Sequence, residues 1–139
     1  MKRTIPYLIF TSFLLINACS SKGPSENEKL REEVIAVHDE VMPKMGKLKS
    51  LERRALEKVE ELERVNPVDS SKVEEYKALA YDLNHAHDSM FEWMHQYEPK
   101  DGDQSPEELK KYLDNQMVLV SAVNVEMKEA LAKAEALLK

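Results

Sequence analysis

Apolar residues recur along this chain at alternating spacings of three and four, in three long runs separated by breaks that carry proline or glycine. That period gathers them on one stripe of an α-helix. The first run holds Leu30, Val34, Val37, Val41, Leu48, Leu51, Ala55, Leu62 and Val65, with Met45 and Val59 standing in where Lys44 and Lys58 interrupt the spacing. Asn66-Pro67 is expected to end it, because the residue before a proline is pushed out of the helical region. The second run holds Val73, Tyr76, Ala80, Leu83, His87, Met90, Met94 and Tyr97, and a capping box of Ser71 with Glu74 is expected at its start. A turn follows from Glu98 to Asp103. The third run holds Leu109, Leu113, Gln116, Val120, Val123, Met127, Ala130, Ala134 and Leu137. Ser105 stands ahead of it as a cap, with Pro106 in the first position and Glu107 and Glu108 facing the positive end of the helix dipole.

Short connections make consecutive helices antiparallel neighbours. The pattern therefore predicts an all-α fold, an antiparallel up-down-up three-helix bundle with a kinked first helix. The kink is expected at Pro43, which removes the hydrogen bond to the carbonyl of Asp39 and crowds that turn. Folding the chain near residue 68 and again near residue 101 sets a register. In that register residues 28–37 project past the other helices as a stalk. Met42 comes level with Met94, Met45 with Met90, His87 with Gln116, and His38 lies near Tyr97 and Glu98.

The first 20 residues read differently. Met1-Lys2-Arg3 is a basic start, and Ile5 to Ile16 is apolar apart from Thr11 and Ser12. The run is shorter than the roughly 20 residues that span a bilayer, and it has the layout of a secretory signal. It ends at Ile16-Asn17-Ala18-Cys19, which holds the only cysteine of the chain. This stretch resembles the bacterial lipoprotein signal peptide, whose lipobox places an aliphatic residue three before the cysteine and a small residue directly before it. The resemblance implies cleavage before Cys19, a diacylglyceryl group on its thiol and acylation of the new amino group. Each buried CH₂ of such chains contributes about 0.8 kcal/mol, so two or three chains anchor a protein at a membrane without a spanning helix. Residues 1–18 are thus read as a signal peptide, 19–27 as the lipidated cysteine with a flexible tether around Gly23-Pro24, and 28–139 as the helical bundle domain. Ser20 after the cysteine points by the same resemblance to the outer membrane of a two-membrane host. The mature part is also similar to short helical lipoproteins of Bacteroidetes-type genomes along His38-Asp39-Glu40-Val41-Met42-Pro43-Lys44-Met45. That similarity implies no activity.

Losing Lys2 and Arg3 with the leader takes the net charge from −6 to −8. A chain this acidic lacks the basic footprint that nucleic acid requires. One cysteine permits no intramolecular disulfide, so the fold must stand on its apolar core. The expected partners are the membrane, through the lipid, and a protein of the cell envelope. The expected function is a non-enzymatic helical interaction or structural module.

The candidate chemistry is confined to two stretches, His38 to Gly46 and His85 to His95, which hold all four histidines. Thioether and imidazole donors suit Cu(I), so His38, Met42, Met45, Met90 and Met94 are candidate ligands of a soft metal, with Trp93 supplying a cation–π face. Methionine is also a good filler of irregular core gaps, and both readings stand at this level. His87 and Gln116 share a level on facing seams and are expected to form a buried polar pair that fixes register. Glu92 and His95 resemble the Glu-x-x-His of di-iron bundles but fall off the seam. No nucleophile–base constellation and no phosphate-cradling glycine loop is present in the sequence.

Overall fold

A computed structural model describes residues 24–139. The signal-peptide and Cys19 assignments lie outside the described residues. The described residues are all-α, with four α-helices: α1 (Glu26–Val41), α2 (Met45–Glu63), α3 (Ser70–Gln96) and α4 (Pro106–Leu137). A single 3₁₀ turn, Met42–Lys44, joins α1 directly to α2, so the helices make three arms. Among the described residues no helix is long and apolar enough to cross a membrane.

The helix starts follow capping chemistry. Ser25 and Ser105 both accept from the backbone N–H three residues on, and Glu28 and Glu108 reach back to complete capping boxes. α1 thus begins inside the span 19–27 read as a tether. At the start of α3 the cap is Asp69, whose carboxylate accepts from Lys72 N at 3.1 Å, and the box expected of Ser71 with Glu74 does not form. Asp69 precedes two serines, so the helix takes the earliest competent acceptor. α2 ends at Glu63, four residues ahead of Pro67. Gly102 turns the chain with φ +59°, a left-handed conformation that favours glycine.

Most of the buried apolar residues form one cluster, with Leu113 of α4 buried outside it. Val34, Val41, Leu48, Ala55, Leu79, Leu83, Ala86, Met90, Leu113, Val120, Met127 and Ala134 are each fully buried. The stripe on α3 is rotated from the one read in the sequence. Leu79, Ala86 and Trp93 are buried, while Tyr76, His87, Met94 and Tyr97 sit half-buried at its flanks. A strict seven-residue repeat drifts around a straight helix of 3.6 residues per turn, and over 27 residues that drift moves the centre of the stripe by about one position.

α1 packs chiefly on α4, whereas α2 packs chiefly on α3, and α3 packs along α4. The 3₁₀ turn at Pro43 is where the first arm passes from one partner to the other. Polar contacts record how the arms are aligned. Asn27 Nδ2 donates to Pro106 O at 2.9 Å, Lys128 pairs with Glu40 at 2.6 Å and Lys47 with Glu135 at 2.5 Å. Lys49 Nζ donates to Asn84 at 2.9 Å, and Lys77 pairs with Glu63 at 3.1 Å. Lys133 pairs with Asp82 at 2.6 Å, and Tyr76 OH donates to Leu137 O at 3.2 Å.

These contacts correct the stalk. Residues 28–37 are not free of the other helices: Val34 is fully buried, and Arg31 Nη1 donates to Tyr97 OH at 3.1 Å and to Glu98 O at 3.2 Å while its other nitrogen pairs with Asp101. The reason lies in the connection from α3 to α4. It runs onward past the end of α3 instead of doubling back, so Pro106 begins α4 beside Asn27 and covers the start of α1.

Candidate functional site

The region around the 3₁₀ turn gathers the chemistry-bearing side chains. His38 sits one turn before Met42 on the first arm, and Met90, Trp93 and Met94 share a face of α3 by their three-four spacing. The His38 and Trp93 rings meet with centroids 5.4 Å apart and planes inclined 36°. This contact sets the local register one turn away from the one derived from the loops. His38 therefore lies on Trp93 and not beside Tyr97 and Glu98, where Arg31 stands instead. Met45, Met90 and Trp93 belong to the core cluster, and Met42 and Met94 pack against it. All four candidate methionines and Trp93 thus contribute to the apolar core, and His38 touches that core through Trp93. Among the described residues no three His, Asp or Glu side chains converge as ligands for a harder ion.

The two nitrogens of His38 have different surroundings. Nδ1 lies 2.8 Å from the carboxylate of Asp39, while Nε2 is buried with no hydrogen-bond partner among the described residues. An ionised carboxylate only accepts, so the neutral ring carries its proton on Nδ1 and leaves the Nε2 lone pair bare. The indole N–H of Trp93 is likewise buried, with no partner among the described residues. From Trp93 an aromatic column continues to Tyr97, at 4.9 Å, and on to Tyr112, at 6.3 Å. Tyr112 OH accepts from Glu98 N at 2.7 Å, and Arg31 closes the column over Tyr97 OH.

The expected pair of His87 with Gln116 is not formed. His87 Nδ1 lies 3.0 Å from Asp88, its ring packs on Phe91 at 4.9 Å, and Oε1 of the buried Gln116 has no partner among the described residues. Contacts between α3 and α4 join Asp82 to Lys133 and His85 to Glu126. In that register His87 lies far along α4 from Gln116. A buried polar side chain that does tie helices together is Asn124, which sequence periodicity left off the seam. It is buried, and its amide donates to Val37 O at 2.9 Å and to the Glu40 carboxylate at 3.1 Å. Asn124 and Lys128 together hold the Glu40 carboxyl below the usual carboxylate range, with the Lys128 hydrogen bond the larger cause. A four-residue step from Val120 to Asn124 was the available signal for it.

A second feature lies on the outer face of α4. Val118, Ala122 and Val125 follow helical spacing and are exposed, with Leu119 beside them. Val118 is 68% exposed and Val125 53%. Leu119, Ala122 and Val123 also line a shallow groove with Ser89, Glu92, Trp93 and Gln96 of α3. Another groove between α3 and α4 is lined by Tyr81, Asp82, His85, Glu126, Glu129 and Lys133. The paired charges there make it a polar cleft. Glu92 and His95 stay apart as a pair: His95 Nδ1 meets Phe91 O at 2.7 Å and Glu92 accepts from Gln96 at 3.1 Å. Compared with known protein families, curated proteins and solved structures, the chain matches none of them.

Proposed function

We propose that this chain is a lipid-anchored, non-enzymatic helical module that presents the outer face of α4 to another protein of the cell envelope. The exposed apolar stripe of Val118, Leu119, Ala122 and Val125 is the observation that carries the reading. Exposed apolar side chains grouped along one helix mark protein-contact surfaces, and such a face suits docking into an apolar groove of a partner. The architecture behind it is an up-down-up three-helix bundle whose first helix is kinked at Pro43. The order of the polar contacts between arms supports this topology, and the 3₁₀ turn supports the kink.

The anchor rests on the lipobox-like Ile16-Asn17-Ala18-Cys19. The cap of α1, Ser25, stands six positions after Cys19. Fully extended, that length reaches about 20 Å, so the end of the bundle holding Asn27, Arg31 and Pro106 stays close to the lipid. Glu26, Glu28, Asp101, Asp103, Glu107 and Glu108 crowd that end. Carboxylates so placed disfavour lying flat on anionic headgroups, which leaves the length of α4 available to a partner.

The test has two parts. Mass spectrometry of the native product is expected to find fatty acyl mass on an N-terminal Cys19. A photo-crosslinking residue at Val118 or Val125 in intact cells is expected to capture one protein partner, and Val125→Glu is expected to abolish capture while leaving the helical circular dichroism unchanged. An unmodified Cys19 thiol defeats the anchor. Capture of lipid and self alone defeats the interaction module.

A further inference from the structure

We propose that His38, Met42, Met90 and Met94 form a binding site for Cu(I), backed by the face of Trp93 and oriented by Asp39. The inference goes beyond the envelope reading and is independent of it, since the ligands lie within the bundle and need neither lipid nor partner.

Three observations converge on the site. The first is the bare Nε2 of His38, buried and unpartnered while Asp39 occupies Nδ1. A ring nitrogen held by a carboxylate on one side, with the lone pair of the other turned inward, is the arrangement of a metal-ligating histidine and its supporting carboxylate. A buried acceptor without a donor is otherwise costly. The second is the donor set around it. Met42 is one turn from His38 on the first arm, and Met90 and Met94 flank Trp93 on α3. Thioethers are soft, neutral donors that favour Cu(I) over Zn(II), Mg(II) or Ca(II), and their three rotatable bonds let them adjust around an ion without moving the backbone. The third is the indole. Trp93 is 5% exposed and its ring touches that of His38, so a monovalent cation held by Nε2 would stand within reach of a desolvated π-face. A harder ion finds no carboxylate cluster here.

The register brings the four ligands to one level of the bundle. The contacts of Arg31 with Tyr97, His38 with Trp93 and Lys49 with Asn84 run in opposite order along the two arms. Interpolating between them sets Met42 opposite Met90. Met45 falls a turn further on and is left to the core.

The full chain carrying Cys19→Ser, which removes the competing thiol, is titrated with Cu(I) under anaerobic reducing conditions against the chromophoric chelator bicinchoninate. One equivalent of Cu(I) is expected to leave the chelator and to quench the emission of Trp93, the sole tryptophan. Zn(II) is expected neither to quench nor to compete. Asp39 is exposed, and Asp39→Ala is expected to lower affinity about 10- to 100-fold with unchanged circular dichroism, because it acts only through the ring it orients. Met42→Leu with Met94→Leu is expected to abolish stoichiometric binding. X-ray absorption on the loaded Cys19→Ser chain, which needs no ligand variant to fold, is expected to show both nitrogen and sulfur scatterers. Failure to take Cu(I) from the chelator, uptake without a change in Trp93 emission, a shell lacking sulfur, or undiminished affinity in Asp39→Ala would each overturn the site and leave the methionines as core filling.

Discussion

The side-chain amide of Asn124 on α4 donates to the backbone carbonyl of Val37 on α1, 2.9 Å away, in the last turn before the chain tightens at Pro43. The same amide donates to Glu40. Two hydrogen bonds from one buried group fix α1 lengthwise against α4. Each contributes about 0.5–1.5 kcal/mol net, with bonds to a charged acceptor at the upper end. Asn124→Ala is therefore expected to destabilise the chain by about 1–3 kcal/mol in urea unfolding. Asn124→Asp should cost more, since it sets a second carboxylate beside Glu40, and the gap between the two variants should narrow in acid. Equal stability of Asn124→Asp and the unmodified chain at neutral pH would contradict this account.

Gly46 lies in the first turn of α2, and a Cβ built there meets nothing within 4 Å. Its φ is not in the left-handed region. A helical glycine in open space has no steric reason to be one, and it raises the entropy of the unfolded chain. Gly46→Ala is expected to stabilise by about 0.5–1 kcal/mol, read as a higher urea midpoint at unchanged m-value. A loss of stability instead would mean that the turn at Pro43 depends on freedom at the next residue but two.

His85 Nδ1 pairs with Glu126 across the α3–α4 groove, and this hydrogen bond and charge raise the His85 pKa above 6.5 against a small desolvation cost. Asp88 and Asp82 add to the rise, Tyr81 stacks on the ring at 5.7 Å, and Glu129 and Lys133 line the same groove. A raised folded-state pKa contributes stability that is complete below 6.5 and disappears as pH climbs through the raised value. Both side chains are substantially exposed, so the contribution stays under about 1 kcal/mol. Unfolding free energies of the unmodified chain and Glu126→Gln are expected to differ in mildly acidic buffer and to coincide in alkaline buffer. A difference that grows with pH would reverse the assignment.

Ser105 caps α4 by accepting from Glu108 N at 3.3 Å, while the Glu108 carboxylate accepts from Ser105 N at 2.9 Å. The hydrogen bonds that this carboxylate accepts from Ser105 N and, at 2.8 Å, from Ser105 Oγ hold the Glu108 carboxyl below its ordinary pKa. Ser105→Ala is expected to cost about 0.5–2 kcal/mol, with faster amide exchange confined to the first turn of α4. Glu108→Gln keeps the reach of the side chain but not its charge, so it should cost less than Ser105→Ala.

Much of this protein was legible along the chain because its elements are set by local chemistry. Ser105-Pro106 and its two glutamates begin a helix wherever they stand, and Leu48, Leu51, Ala55 and Val59 show a three-four stripe on any helix. Pro43 marks an interruption because a proline lacks the N–H that an α-turn needs. The candidate site was legible as a composition, four methionines and a histidine in two short stretches, and its geometry was not. Nothing local says that His38 rests on Trp93, that Asp39 takes Nδ1, or that His87 turns outward to Asp88.

By itself, then, the order of residues determined the helices, their ends to within a few residues, and which residue types each brings to the others. Tertiary structure alone decided how far one arm slides along the next. That offset depends on the path of the turn from Tyr97 to Ser105 and on polar ties made across the arms, such as Asn124 to Val37 and Arg31 to Tyr97. A slide of one turn leaves every apolar stripe facing inward and changes the burial of the helices little. It does change which polar atoms meet, and those few directional bonds select the register that hydrophobic burial leaves nearly degenerate.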